Sequence, residues 1–127
     1  MREVLIDTNI LVDHLRGKPE ATHFLISSIT SQNKVLCSVI TRIELMCGMK
    51  TSEESIINKL LQTFEEIEVT KKVAIVAGSY MNKYAKSYGI NAADAIIAAT
   101  AKYYNANLYT LNLKHFPMKD INVEAPY

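Results

Sequence analysis

Two cysteines, four glycines and three prolines are all that this 127-residue sequence has of residues that staple, loosen or break a chain. Cys37 and Cys47 lack zinc-ligand spacing, so a zinc module is not expected; both read as buried free thiols in a reducing compartment. No glycine-rich phosphate loop, internal repeat or low-complexity tract interrupts the chain. No apolar stretch is long enough to span a bilayer, so no membrane partner is expected. The chain opens Met1-Arg2-Glu3 and runs straight into an apolar stretch, which predicts no signal peptide and a cytoplasmic location. Neither sign of charge dominates: 14 Lys and Arg face 13 Asp and Glu, for a net charge of +1. That balance neither demands nor excludes a nucleic-acid partner. What remains is ordinary globular composition, 49% hydrophobic and 21% charged, enough for one compact domain over residues 1–127 with a core of its own.

The stretch Val4-Leu-Ile-Asp-Thr-Asn9 organises the rest. Three apolar residues predict a buried strand, over Glu3–Ile6, that delivers Asp7 to the edge of a sheet. In open parallel sheets ligands bind outside the carboxyl ends of the strands. A short helix is expected over Ile10–Leu15, broken near Gly17. Pro19 opens a second helix, with Phe24, Ile26 and Ile29 on its apolar face. Val35–Cys37 reads as a second buried strand. A third helix runs from Val39–Thr41 to Gly48. Thr51 or Ser52, boxed with Glu54, caps a fourth, whose buried stripe is Ile56, Ile57, Leu60, Leu61 and Phe64. Ile67–Val69 is a third strand. Thr70 caps a long helix ending at Gly89, and Asn91 opens another that reaches Tyr104. Asn107–Leu111 and the edge segment Ile121–Val123 complete the strands. Strands alternating with helices predict an α/β domain with a mainly parallel central sheet.

Two acids sit where apolar residues are expected. Ile40, Glu44 and Cys47 share a helical face, which turns Glu44 toward the core or its rim. Asp94 shares a face with Ile97, Ala98 and Ala101, and the alanines around it let this helix approach the sheet closely. Each acid alone is explained as a helix-start residue: Thr41-x-x-Glu44 fits a capping box, Asn91-x-x-Asp94 resembles one, and Asp7 can cap the helix after it. Taken together, an acid at a strand end and two at helix starts can converge at one end of a parallel sheet. Carboxylates brought that close repel unless a cation neutralises them, and oxygen ligands of this kind suit Mg²⁺, with Mn²⁺ as a substitute. Asn112, in Thr110-Leu-Asn112, offers a neutral oxygen at the same end or is a turn residue. Thr8, Asn9 and Thr110 either cap or orient a ligand or water.

In Ile6-Asp-Thr-Asn9, Thr41-x-x-Glu44-Leu45, Asn91-Ala-Ala-Asp94-Ala-x-Ile-Ala-Ala99 and Thr110-x-Asn112-x-x-x-Phe116, the chain resembles the PIN domain family, in the form of VapC-type toxins of prokaryotic toxin–antitoxin pairs. The four stretches span nearly the whole chain and are specific as a set. The resemblance implies an α/β/α sandwich and a Mg²⁺-dependent endoribonuclease. It matches the family's acids to Asp7, Glu44 and Asp94 and its fourth position, often aspartate, to Asn112. It matches the hydroxyl residue after the first acid to Thr8, as a holder of water. It further implies a homodimer and a cognate antitoxin. Such chemistry needs an activated water and neutralised phosphoryl charge, both of which a divalent ion supplies. Arg16, Lys18, Arg42, Lys114 and Lys119 are candidate RNA contacts or ordinary surface charge, and His115 an RNA contact or a loop histidine. Tyr80, Tyr84 and Tyr88 stack bases or pack. Two rival readings stand beside this one. A phospho-acceptor or phosphatase domain would want a second aspartate at position 9, where asparagine stands. A catalytically inactive RNA- or protein-binding module would have no need to crowd acids together.

Overall fold

The computed structural model describes residues 3–127; Met1 and Arg2, which carry the reading of the amino-terminal opening, lie outside the described residues. Five parallel strands form one sheet in the order β3-β2-β1-β4-β5: β1 Glu3–Ile6, β2 Val35–Ser38, β3 Glu65–Ile67, β4 Ala106–Tyr109 and β5 Asn122–Glu124. Parallel strands need crossovers, and six helices supply most of them. They are α1 Thr8–Leu15, α2 Pro19–Thr30, α3 Val39–Cys47, α4 Glu54–Gln62, α5 Lys71–Tyr88 and α6 Ala92–Tyr104.

Strand side chains alternate between faces, so one four-residue strand feeds two cores. Leu5, Leu36 and Leu108 point to one side, where Val73, Ala77 and Tyr80 of α5 and the alanines of α6 cover them. Val4, Ile6, Val35 and Cys37 point to the other, under Ile10, Leu11, Leu25, Leu45, Ile57 and Leu61 of α1 to α4. The result is an α/β/α sandwich with both sheet faces dry, as all-parallel sheets require. Ala95, Ala98, Ala99 and Ala101 are essentially inaccessible, which is how α6 lies so close to the sheet. Gly89 stops α5 in the left-handed conformation at φ 64°, and Asn105 stops α6 the same way at φ 53°.

Several elements differ from the sequence expectation, each for a tertiary reason. Helix α1 begins at Thr8 rather than Ile10, because Asp7 itself is the N-cap. Strand β3 lies at Glu65–Ile67, not Ile67–Val69: Leu36 pairs with Glu65, and Arg42 neutralises Glu66 at the sheet edge. The buried side of α2 is Ala21, Leu25 and Ser28, leaving Ile26 55% and Ile29 42% exposed. On α4 the buried residues are Ile57 and Leu61, and Ile56 faces out. The turn before α4 closes through Lys50 N–H donating to Glu53 Oε1 at 2.8 Å, not through Thr51 and Glu54. Helix α3 stops at Gly48 with an ordinary negative φ of −103°, and Cys47, expected inside, is exposed; Cys37 is buried, as expected. Among the described residues, no helix is long and apolar enough to cross a membrane.

Candidate active site

The strand order reverses direction between β1 and β4, and a crevice opens at the carboxyl ends of such a pair. Asp7 leaves β1 there and Thr110 leaves β4, held side by side by Asp7 N–H donating to the Tyr109 carbonyl at 3.0 Å. Asp7 is 7% exposed, and both its oxygens are occupied. Oδ1 accepts from the Thr8 backbone N–H and Oδ2 from the Thr110 hydroxyl, each at 2.7 Å. Asp7 is therefore a helix cap as well as a candidate site residue. Burial pushes its carboxyl up to about 6, despite the bonds from Thr110 and Thr8 that favour its charge; the carboxylates of Glu44 and Asp94 push in the same direction. The sheet edge thus brings Glu44 and Asp94 into the electrostatic field of Asp7.

Glu44 arrives on α3. It is not half of a capping box with Thr41, since α3 starts earlier and is capped by the Ser38 hydroxyl, which accepts from Ile40 N–H at 3.2 Å. Nor does it point into the core: the residue is exposed, and its Oε1 reaches back to accept the Thr8 hydroxyl at 2.6 Å. Asp94 arrives at the start of α6, and here the capping box is real. Asn91 Oδ1 accepts from Asp94 N–H at 2.8 Å, and Asp94 Oδ2 from Asn91 N–H at 3.1 Å. His115 Nδ1 lies 3.2 Å from the same Oδ2, a contact with no signal in the sequence, because 21 residues and a strand separate the two.

The segment after β4 is tied to the amino-terminal motif. Asn9 Nδ2 donates to Thr110 Oγ1 and Asn9 Oδ1 accepts from Leu111 N–H, both at 3.4 Å. Thr110 Oγ1 also accepts from Asn112 N–H at 3.0 Å. Asn112 precedes a short turn at Leu113–His115, and its side chain makes no capping bond there. Among the candidate cations, Arg42 is removed: its guanidinium makes a two-pronged bond to Glu66 and a third bond to Asn58, all at 2.8 Å. Lys114 is exposed beside Asn112 and Arg16 is exposed at the end of α1, while Lys18 lies 3.8 Å from Asp13. Tyr80 is buried and donates its hydroxyl to Asp120, which makes it a core residue.

Most donors at this edge are oxygens: carboxylates of Asp7, Glu44 and Asp94, hydroxyls of Thr8 and Thr110, and the Asn112 amide, with the His115 imidazole beside Asp94. That set fits a hard divalent cation, and a buried carboxylate raised to about 6 beside two others is relieved by one. Among the described residues, no three His, Cys, Asp or Glu side chains stand close enough together to enclose an ion as they are placed, each acid being held by its own protein partner.

Fold and site together define a parallel α/β/α protein with an acidic centre at its topological switch point. The PIN domain family model matches residues 4–119. The chain is 37% identical over 124 residues to Ribonuclease VapC19 of Mycobacterium tuberculosis, covering 97% of this chain and 98% of that protein. It is 37% identical over 116 residues to Ribonuclease VapC10 of the same organism, covering 91% and 86%. A solved toxin–antitoxin complex from Klebsiella pneumoniae superposes with a TM-score of 0.81 at 29% identity, covering 98% of each chain. This chain belongs to the PIN domain family.

Proposed function

We propose that this chain is a metal-dependent endoribonuclease, the toxin of a VapBC-type pair, folded as one domain over residues 1–127. The observation that carries the reading is the buried Asp7 at the end of β1, with Glu44 and Asp94 close enough to raise it further. Relatives named as ribonucleases across nearly the whole chain support it, and a toxin–antitoxin complex of the same fold supports a cognate antitoxin as partner. RNA is the substrate, Mg²⁺ the resident ion with Mn²⁺ as substitute, the homodimer the working form and the cytoplasm its location.

Asp7, Asp94 and Asn112 would hold the ion, with Glu44 at its outer side. When bound, the ion neutralises charge on the transferring phosphoryl group and activates a water. The chain's own residues do the rest. Thr110 and the Thr8 backbone orient the two Asp7 oxygens. Asn9 clamps the loop that carries Thr110 and Asn112. Glu44, aimed by Thr8, orients the attacking water. Lys114 and Arg16 take phosphates along the strand, and His115 sits against Asp94 at the rim.

The test is cleavage of mixed cellular RNA by the purified, antitoxin-free chain with Mg²⁺, Mn²⁺ or EDTA. Cleavage should require the metal. Asp7→Asn should lower the rate by more than about 100-fold, because even groups behind a metal ligand are worth about 10–100-fold. Full activity in Asp7→Asn would remove Asp7 from the site. Binding of RNA without cutting would favour the inactive-module reading.

A further inference from the structure

Helix α3 presents two polar side chains to the amino end of α1, and only one of them is an acid. Thr41 is 0% exposed, one turn before Glu44 on the same face. Buried helical hydroxyls usually bond back to the carbonyl one turn earlier. Ser28 and Thr100 do so here, to Phe24 and Ile96. Thr41, in the first turn of α3 with the extended β2 before it, has no helical carbonyl one turn earlier and places its Oγ1 2.9 Å from Thr8 Oγ1. Thr8 Oγ1 is in turn 2.6 Å from Glu44 Oε1.

Proton counting gives this chain a direction. A hydroxyl has one proton to donate, and a carboxylate oxygen only accepts. The Thr8 proton therefore goes to Glu44. Thr41 must then donate to Thr8, which also gives its own buried proton a partner. A donor behind a donor polarises it, so the Thr8–Glu44 bond is strengthened. It is also held in one rotamer, because Thr8 lies between two groups one turn apart on a single helix. Thr8 follows Asp7 directly, so this grip sets where Glu44 stands relative to the buried carboxylate.

We infer that Thr41 is a positioning residue for the reaction: its buried hydroxyl, donated to Thr8, locks the Thr8 hydroxyl onto Glu44 and so aims that carboxylate at the site. The inference rests on the nuclease reading for its catalytic consequence but not for the hydrogen-bond relay itself.

Two variants separate aim from packing. Thr41→Val keeps the methyl groups and loses the hydroxyl. Thr41→Ser keeps the hydroxyl and loses a methyl. Per folded molecule, with folding checked by urea unfolding, Thr41→Val should lower kcat for RNA cleavage about 10-fold, the upper worth of one hydroxyl–hydroxyl hydrogen bond. KM should stay near wild type, and Thr41→Ser should recover most of kcat even where it is the less stable protein. A Thr41→Val enzyme at the wild-type rate, or a Thr41→Ser enzyme as slow as Thr41→Val, would overturn the positioning role. A double-mutant cycle of Thr41→Val with Glu44→Ala, which removes the acceptor, read by urea unfolding without RNA, should show non-additive losses. Strict additivity would rule out the relay whatever the cleavage result. If the cycle shows coupling but neither the wild type nor any variant cuts RNA, the relay stands, the nuclease reading fails, and the catalytic role of Thr41 fails with it.

Discussion

Asp7 carries opposite demands from folding and from chemistry. Its carboxyl is raised from 3.8 to about 6, first by burial. A folded-state value above the unfolded one means that the folded protein holds this proton more tightly. Without metal, the Asp7 contribution to stability is then fully present below about pH 4 and is lost as pH rises through about 6. At ~1.4 kcal/mol per pH unit, the loss amounts to about 3 kcal/mol. In EDTA, urea unfolding should therefore show Asp7→Asn gaining stability over wild type above pH 7, with the difference fading toward pH 4. An Asp7→Asn protein no more stable than wild type at pH 8 would contradict that sign. A strand-end aspartate is legible as a cap or a ligand from sequence. That it is a cap with a second threonine, Thr110, on its other oxygen depends on β4 lying beside β1.

At the scale of elements, the amino end of α6 is where structure and site share residues. The Asn91–Asp94 box holds the helix start and fixes the Asp94 carboxylate in one act. Asn91→Ala should cost about 1 kcal/mol in urea unfolding, the usual worth of an N-cap. It should also weaken RNA cleavage per folded molecule, because losing Asn91 Oδ1, which accepts from the Asp94 N–H, loosens the helix start that carries Asp94. A stability loss with unchanged cleavage would separate cap from site. Helix α3 shows the reverse case. Arg42 looks like a free cation in the sequence, yet it joins α3 to β3 and α4 through Glu66 and Asn58. Arg42→Met should lower stability by about 1 kcal/mol, as the two-pronged geometry is favourable but partly solvated. It should leave the salt dependence of RNA binding unchanged, since no phosphate contact is lost. A shallower salt slope would return Arg42 to the RNA path. Amphipathic pattern placed α2 and α4 correctly but misjudged their faces. Ile26, Ile29 and Ile56 are apolar, but each sits on a side of its helix that is exposed.

For the molecule as a whole, an ion that binds only the folded state must raise its stability. The gain is about 2.7 kcal/mol at 100 times Kd. Thermal unfolding should shift upward with Mg²⁺ in the wild type and little in Asp94→Asn; equal shifts in both would place the ion elsewhere. The amino-acid sequence by itself determined the alternation of strands and helices, the parallel α/β class, the caps at Thr70 and Asn91, and the residues of the acidic motif. Those features depend on local periodicity, turn chemistry and side-chain type, all carried by a few neighbouring residues. Only the tertiary structure decided the strand order β3-β2-β1-β4-β5, and with it the meeting of Asp7, Glu44, Asp94 and Thr110 at one sheet edge. It alone gave His115 to Asp94, Arg42 to Glu66 and Thr41 to Thr8. Those partners are 21 to 33 residues apart in the chain. A side chain's partner at that separation is chosen by how the sheet is ordered, which no local pattern encodes.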